Sequence, residues 1–323
     1  MRKVISLILC LALCLACIPA VAEEAVAVKT GLSFVTSVSG SKDGAAQATL
    51  TLAAVTVDDN GVIDSCVIDA VQAIINFDET GKLTTAPATE FASKNELGDA
   101  YGMRKASSIS AEWNEQAAAF AAYCVGKTID ELKAMPVDEA QKPADADLAA
   151  GCTMAVYNFL PSVEDAVRNA QHLGAKKGDV LKLTTTANAS KSKDASESAD
   201  GQAQVYAHVG VVTLNGETIT SCYIDAVQAT VKFNASGKIT SDLGAAVLSK
   251  NVIKDGYGMK GVSSIGKEWY EQAAGFCAYV TGKTIADVAG IAIVDGKIAD
   301  ADLAATTTIG IADFQALIEK AGK

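Results

Sequence analysis

Gly126-Lys127-Thr128 and Gly282-Lys283-Thr284 end like a phosphate-binding loop, in which backbone N–H groups and a lysine cradle an anion. The glycine such a loop needs five positions earlier is Ala121 in one case and Cys277 in the other. A phosphate loop also precedes its helix, so that the N–H groups face the anion. Both tripeptides instead follow a helical pattern, so a helix stop and the cap of the next helix account for them. Asp69 and Asp225, with Gln72 and Gln228 nearby, have the chemistry to orient a ligand. A surface carboxylate or the partner of a loop amide is the preferred reading. Trp113 and Trp269 could stack on a flat ring, but their helical spacing makes them core residues first. The pairs Asp145/Asp147 and Asp300/Asp302 stand two apart, with nothing to converge them on a cleft. His172 and His208 occupy unrelated places, which excludes a histidine triad or metal centre shared by the two halves. No catalytic residue and no metal site is assigned, and the expectation is a protein that is not an enzyme.

One segment suits a ligand better. In Asp300-Ala301-Asp302-Leu303-Ala304-Ala305-Thr306 small residues permit close approach, and a hydroxyl stands shortly before a helix. Helix N-termini favour anions, so a phosphate or phosphoester fits there; a close-packed loop fits the same residues.

These residues recur because the chain is duplicated. Ser65-Cys66-Val67-Ile68-Asp69-Ala70-Val71-Gln72-Ala73 returns as Ser221-Cys222-Tyr223-Ile224-Asp225-Ala226-Val227-Gln228-Ala229, an offset of 156. The same offset relates Tyr101-Gly102-Met103 to Tyr257-Gly258-Met259 and Glu112-Trp113 to Glu268-Trp269. One residue less, 155, carries the segment from Ala144 to Ala150 onto that from Ala299 to Ala305. A period this long describes two domains rather than a solenoid. Their expected bounds are 27–173 and 179–323, joined by the polar hinge Gly174 to Gly178.

Within each copy, alternation at Leu32, Phe34 and Thr36 marks an opening strand. The polar stretches Ser39 to Gln47 and Ser190 to Gln202 read as loops between the first two strands. Thr49 to Val57 and Val62 to Asp69 form a hairpin about Asp59-Asn60-Gly61, and Val71 to Phe77 a further strand. The helical half starts near Ser110. Trp113, Ala117, Phe120 and Cys124 line one helix face, as do Trp269, Ala273, Phe276 and Val280. Thr128 and Glu131 make a capping box, and a last helix runs from Phe159 to Ala170 with Asn158 as cap. The fold class expected is α+β: two tandem copies of an antiparallel-sheet domain with helices in its C-terminal half.

Residues 1–22 read as a signal peptide: basic Arg2-Lys3, an apolar run, then Ala20-Val21-Ala22 before Glu23. Export to the extracellular space or cell envelope follows, with release favoured over a lipid anchor at Cys17. No later segment is expected to span a membrane. The net charge of −11 becomes −13 once Arg2 and Lys3 leave, and without a basic stripe this excludes nucleic acid as a partner. Cys66, Cys124, Cys152, Cys222 and Cys277 remain, sparse and odd in number, and read as buried small apolar residues.

The layout resembles the FMN-binding domain family of exported bacterial flavoproteins and lipoproteins. Val57-Asp58-Asp59-Asn60-Gly61-Val62-Ile63 resembles the family's strand-turn-strand, and Tyr257-Gly258-Met259-Lys260 with Trp269 its helical stretch. Family members carry Asp-x-x-Ser/Thr-Gly-Ala-Thr before a C-terminal helix, and in some the last hydroxyl bears FMN as a phosphoester installed by an FMN transferase. Asp300, Ala305 and Thr306 match that pattern, while Leu303 and Ala304 depart from it and the first copy has Gly151 at the acceptor place. The resemblance implies FMN as cofactor, held by Asp300, Ala304, Ala305 and Thr306, an FMN transferase and redox partners, and extracellular electron transfer. The alternative is a relative that has lost flavin and serves as a binding or structural module at the cell surface.

Overall fold

The computed structural model describes residues 26–323; the expected signal peptide, residues 1–22, and with it Cys17, lies outside them. In the first copy β1 (Lys29–Ser37), β2 (Ala45–Val57) and β3 (Ile63–Asn76) form an antiparallel sheet in sequence order. Then follow α1 (Lys94–Leu97), α2 (Trp113–Cys124), α3 (Ile129–Lys133), α4 (Ala146–Gly151) and α5 (Leu160–Arg168). The second copy repeats this with β4 (Val180–Asn188), β5 (Gly201–Asn215) and β6 (Thr218–Phe233). Its helices are α6 (Lys250–Ile253), α7 (Trp269–Val280), α8 (Ile285–Ala289), α9 (Ala301–Ala304) and α10 (Ala312–Ala321). A small ribbon of β7 (Ile293–Val294) and β8 (Lys297–Ile298) precedes α9. The chain is thus α+β, with two antiparallel sheets in tandem and helices mostly after the strands.

Local chemistry sets the joints. At the β2–β3 turn Asp58 Oδ1 accepts the N–H of Asn60 at 2.9 Å and of Val62 at 2.8 Å, and Gly61 supplies the positive φ of 81°. Thr128 and Glu131 cap α3 reciprocally, as expected. Gly126 takes φ 78° just past α2 and its N–H donates to Ile63 O at 2.8 Å, so the Gly-Lys-Thr tripeptide joins two helices. Two expectations are corrected. The strand does not break after Asp69: β3 runs unbroken through Ala70 and Val71, which pair with Thr51 and Leu50 of β2, and Asp69 is buried within it. Asn158 does not cap α5; that end is Phe159, with no side-chain cap and Pro161 in the first turn.

Both faces of each sheet are covered. Along β2, Leu50, Leu52 and Ala54 point to one core while Ala53 and Val55 point to another, the two-residue alternation of a strand. The second core lies under α2 and α5, and its counterpart in the other copy lies under α7 and α10. The first core is shared: Leu50, Leu52, Val71 and Ile75 pack with Val205, Val209, Val227 and Val231. The layers are therefore helices, sheet, sheet, helices. Burial on both faces explains why β2 and β5 read as nearly continuous apolar runs.

The two copies meet about a pseudo-twofold axis. Phe77 and Phe233, which correspond at the repeat offset, stack on each other with ring centroids 3.9 Å apart and planes 6° from parallel. Around them the contacts are reciprocal. Asp43 accepts the Ile239 N–H at 2.9 Å and pairs with Lys238 at 3.0 Å, while Asp194 accepts the Leu83 N–H at 2.9 Å and pairs with Lys82 at 3.3 Å. Those N–H groups first, and the lysines second, hold Asp43 below the ordinary carboxylate range; Asp194 is lowered for the same reasons.

Candidate functional site

In both copies the first turns of the long helix, α2 or α7, gather the polar groups that recur. Glu112, N-cap of α2, accepts the Met103 and Arg104 N–H groups, each at 2.8 Å, and Glu268 accepts those of Met259 and Lys260 at the same distances. This fixes the Tyr-Gly-Met loop above the helix end and gives the repeated tripeptide a structural reason.

Asp69 and Asp225 are not surface carboxylates, as expected, but buried ones; the loop-amide partner was the correct half of that reading. Asp69 accepts the Asn95 N–H at 3.0 Å, and Asn95 Nδ2 donates to Ile68 O at 2.9 Å. Asp225 and Asn251 repeat the arrangement with both distances at 3.0 Å. Each aspartate thus docks a Ser-Lys-Asn turn, Ser93-Lys94-Asn95 or Ser249-Lys250-Asn251, onto its sheet. Burial pushes the carboxyls of Asp69 and Asp225 up to about 6, against the pull of their hydrogen bonds.

The docked lysine then lies across aromatic rings. Lys94 Nζ stands 4.5 Å from the Tyr101 ring centre and 4.8 Å from that of Trp113. Lys250 is enclosed by Tyr206, Tyr257 and Trp269 at 4.8, 4.5 and 4.7 Å and donates to Tyr206 Oη at 2.8 Å. Only 3% of Lys250 is exposed, and this burial lowers its pKa to about 8, with Asp225 opposing the shift. His208, beside Tyr206, is buried with Nδ1 lacking a hydrogen-bond partner, and burial followed by the Lys250 charge brings it down to about 3. The tryptophans are core residues, as expected, and also one wall of this cage. The Ser-Lys-Asn identity at the 156 offset was the available signal for the cage; nothing in the first-copy sequence marks the Tyr206 and His208 additions.

The loop matched to the flavin motif also packs against α7, at Gln272, Gly275 and Tyr279. Asp300 caps α9 through the Leu303 N–H at 2.9 Å and accepts the Tyr279 hydroxyl at 2.7 Å. The Leu303 N–H first, and Tyr279 second, lower its pKa. Ala304 is half-buried and Ala305 exposed. Thr306 turns inward, with Oγ1 donating to Leu303 O at 3.1 Å, and α10 begins only at Ala312. A Cβ on Gly275 would fall 2.9 Å from the Thr306 Cβ, while in the first copy a Cβ on Gly151 would fall 2.8 Å from that of Ala119. The glycine has changed sides of one helix–loop contact: Ala119 faces Gly151, and Gly275 faces Thr306. The Gly151/Thr306 difference is a packing exchange.

The hydroxyls that correspond in position are Thr153 and Thr308. Gln116 Oε1 accepts the Thr153 N–H at 2.9 Å and its hydroxyl at 3.2 Å. Gln272 Oε1 accepts the Thr308 N–H at 2.8 Å, its hydroxyl at 3.1 Å and the Ile309 N–H at 3.2 Å. Both glutamines are fully buried, and their amide nitrogens donate to Ser107 and Ser263. Thr153 is half-exposed and Thr308 exposed. Placed two residues later, the motif reads Asp147-Leu148-Ala149-Ala150-Gly151-Cys152-Thr153, recovering its aspartate, glycine and final threonine. In the second copy Asp302 and Thr308 take the outer places.

A shallow groove of about 330 Å³ runs between β3 and α2, lined by Cys66, Ile68, Asn95 and Ala121 among others. No group of residues able to hold a metal ion occurs among the described residues, and no helix there is long and apolar enough to cross a membrane. No family model, curated protein or solved structure matches the chain.

Proposed function

We propose that this protein is an exported, flavin-carrying electron-transfer module with one FMN on each copy, esterified to Thr153 and Thr308. The observation that carries this reading is that a motif-final threonine recurs at one position in both copies, its N–H fixed by a buried glutamine and its side chain reaching solvent. Small residues flank it in each case: Ala149, Ala150 and Gly151, or Ala304 and Ala305. Attachment requires Oγ1 to rotate away from the glutamine, while the N–H bond to Gln116 or Gln272 keeps the backbone in place. Asp300 and its counterpart Asp145 set the loop by capping α9 and α4. Thr306 is replaced as the acceptor by this reading, since its side chain is engaged against α7. Bound FMN supplies the redox chemistry, and the chain supplies position.

The partners are redox proteins at the cell surface and an FMN transferase, which breaks the P–O–P bond of a flavin diphosphate ester, joins the FMN phosphorus to threonine Oγ1 and releases the other phosphate ester, the hydroxyl proton passing to solvent. Co-expression with such a transferase is expected to yield a yellow protein, and the double substitution Thr153→Val with Thr308→Val a colourless but folded one. Colour that survives the double substitution and vanishes with Thr306→Val returns the site to the inner hydroxyl. A wild type without flavin leaves a duplicated surface-binding module as the function.

A further inference from the structure

Four of the five described cysteines, all free thiols, meet in pairs, one pair in each copy. Cys222 on β6 and Cys277 on α7 bring their sulfurs to 3.3 Å, and both are buried. In the first copy Cys66 on β3 lies against Cys124 on α2 in the matching layer. The strand cysteines correspond at the repeat offset, but the helix cysteines do not. Cys277 corresponds to Ala121, and Cys124 to Val280. Positions 121 and 124 stand three apart and share a helix face, so a cysteine at either reaches the same strand residue from a neighbouring turn. Apolar filling alone asks for a small side chain at each place and gives no reason for a thiol to face the strand cysteine twice. Pairing gives that reason.

We propose that Cys66–Cys124 and Cys222–Cys277 are disulfide-forming pairs that staple the last strand of each sheet to the helix carrying the threonine-anchoring glutamine. The reaction is thiol–disulfide exchange with a small-molecule or protein disulfide as oxidant. One thiolate attacks the oxidant, forming a mixed disulfide and expelling one reduced thiol; the second cysteine then displaces the other. Two protein thiols become one disulfide, the oxidant becomes two thiols, and the protons leave with them. Contact with its neighbour and burial push the thiols of Cys66 and Cys222 well above their ordinary range, so exchange in the folded chain is slow and the bonds form as the chain folds. An exported chain folds where such oxidants persist. Cys152 is left as the single thiol among the described residues.

The test refolds the mature chain from denaturant in a mixture of oxidised and reduced glutathione, traps free thiols by alkylation, and maps peptides without reduction. Linked peptides Cys66–Cys124 and Cys222–Cys277, with Cys152 alone alkylated, are expected, together with a higher denaturant midpoint than that of the reduced chain. Five alkylated thiols, or pairings that include Cys152, overturn the proposal, as does a midpoint no higher than the reduced one. In Cys277→Ala the first-copy pair must still form in full while Cys222 stays alkylated. Capture of Cys222 by Cys152 in that variant contradicts position-specific pairing.

Discussion

At the scale of single residues, the exchange of glycine between Gly151 and Gly275 makes a sharp claim about packing. Gly275→Ala places a methyl within 2.9 Å of the Thr306 Cβ, a contact real side chains do not make. Overpacking of this kind costs about 1–3 kcal/mol. Adding Thr306→Gly recreates the Ala119–Gly151 contact of the first copy and is expected to recover most of that loss. A double-mutant cycle on chemical denaturation midpoints measures the coupling, and additive losses would show that the two positions do not exchange. The same pair bears on which residue the proposed flavin reading takes as acceptor. The seven-residue pattern can be laid down in two registers, each with mismatches, and the Gln116 and Gln272 contacts are what support the proposed register ending at Thr153 and Thr308. Each glutamine sits in a helix whose apolar spacing marks other residues, Trp113 and Phe120 in α2 and Trp269 and Phe276 in α7.

At the scale of elements, what was legible followed local rules. The long helices, their buried faces and the capping box at Thr128 depend on spacings of three and four residues, and each appears as read. The short turns α1 and α6 escaped notice because four residues carry no periodicity; a contact to Asp69 or Asp225, 26 residues away, creates them. Docking α6 buries Lys250, and this has a pH signature. Its pKa is about 8 in the folded chain against 10.5 for an ordinary lysine, so between those values the unfolded chain binds more protons. Stability therefore rises with pH from about 8 towards 10, by up to about 1.4 kcal/mol per unit, and the cost of the buried charge is fully present below pH 8. Thermal unfolding midpoints of Lys250→Met, compared with wild type across this window, should lack that rise. Parallel curves would mean that the lysine keeps its proton in the cage.

The whole molecule is a pseudo-symmetric dimer within one chain, and this was not legible because its contacts join residues more than 100 apart. Repeat matching reveals two copies but not the face on which they meet. That face is self-complementary: the first copy alone offers Phe77, Asp43, Lys82 and Leu83, the parts needed to pair with itself. A fragment of residues 27–173 is therefore expected to form a homodimer in size-exclusion chromatography with light scattering, and Phe77→Asp to disrupt it. A folded monomer would show that the shared core is dispensable. On the proposed flavin reading, the same symmetry sets two sites per chain. The most direct test is the intact mass of the mature chain co-produced with an FMN transferase, followed by peptide mapping. The proposal requires two FMN per chain, one on the peptide holding Thr153 and one on that holding Thr308. A mass without added flavin, or flavin confined to Thr306, would contradict it.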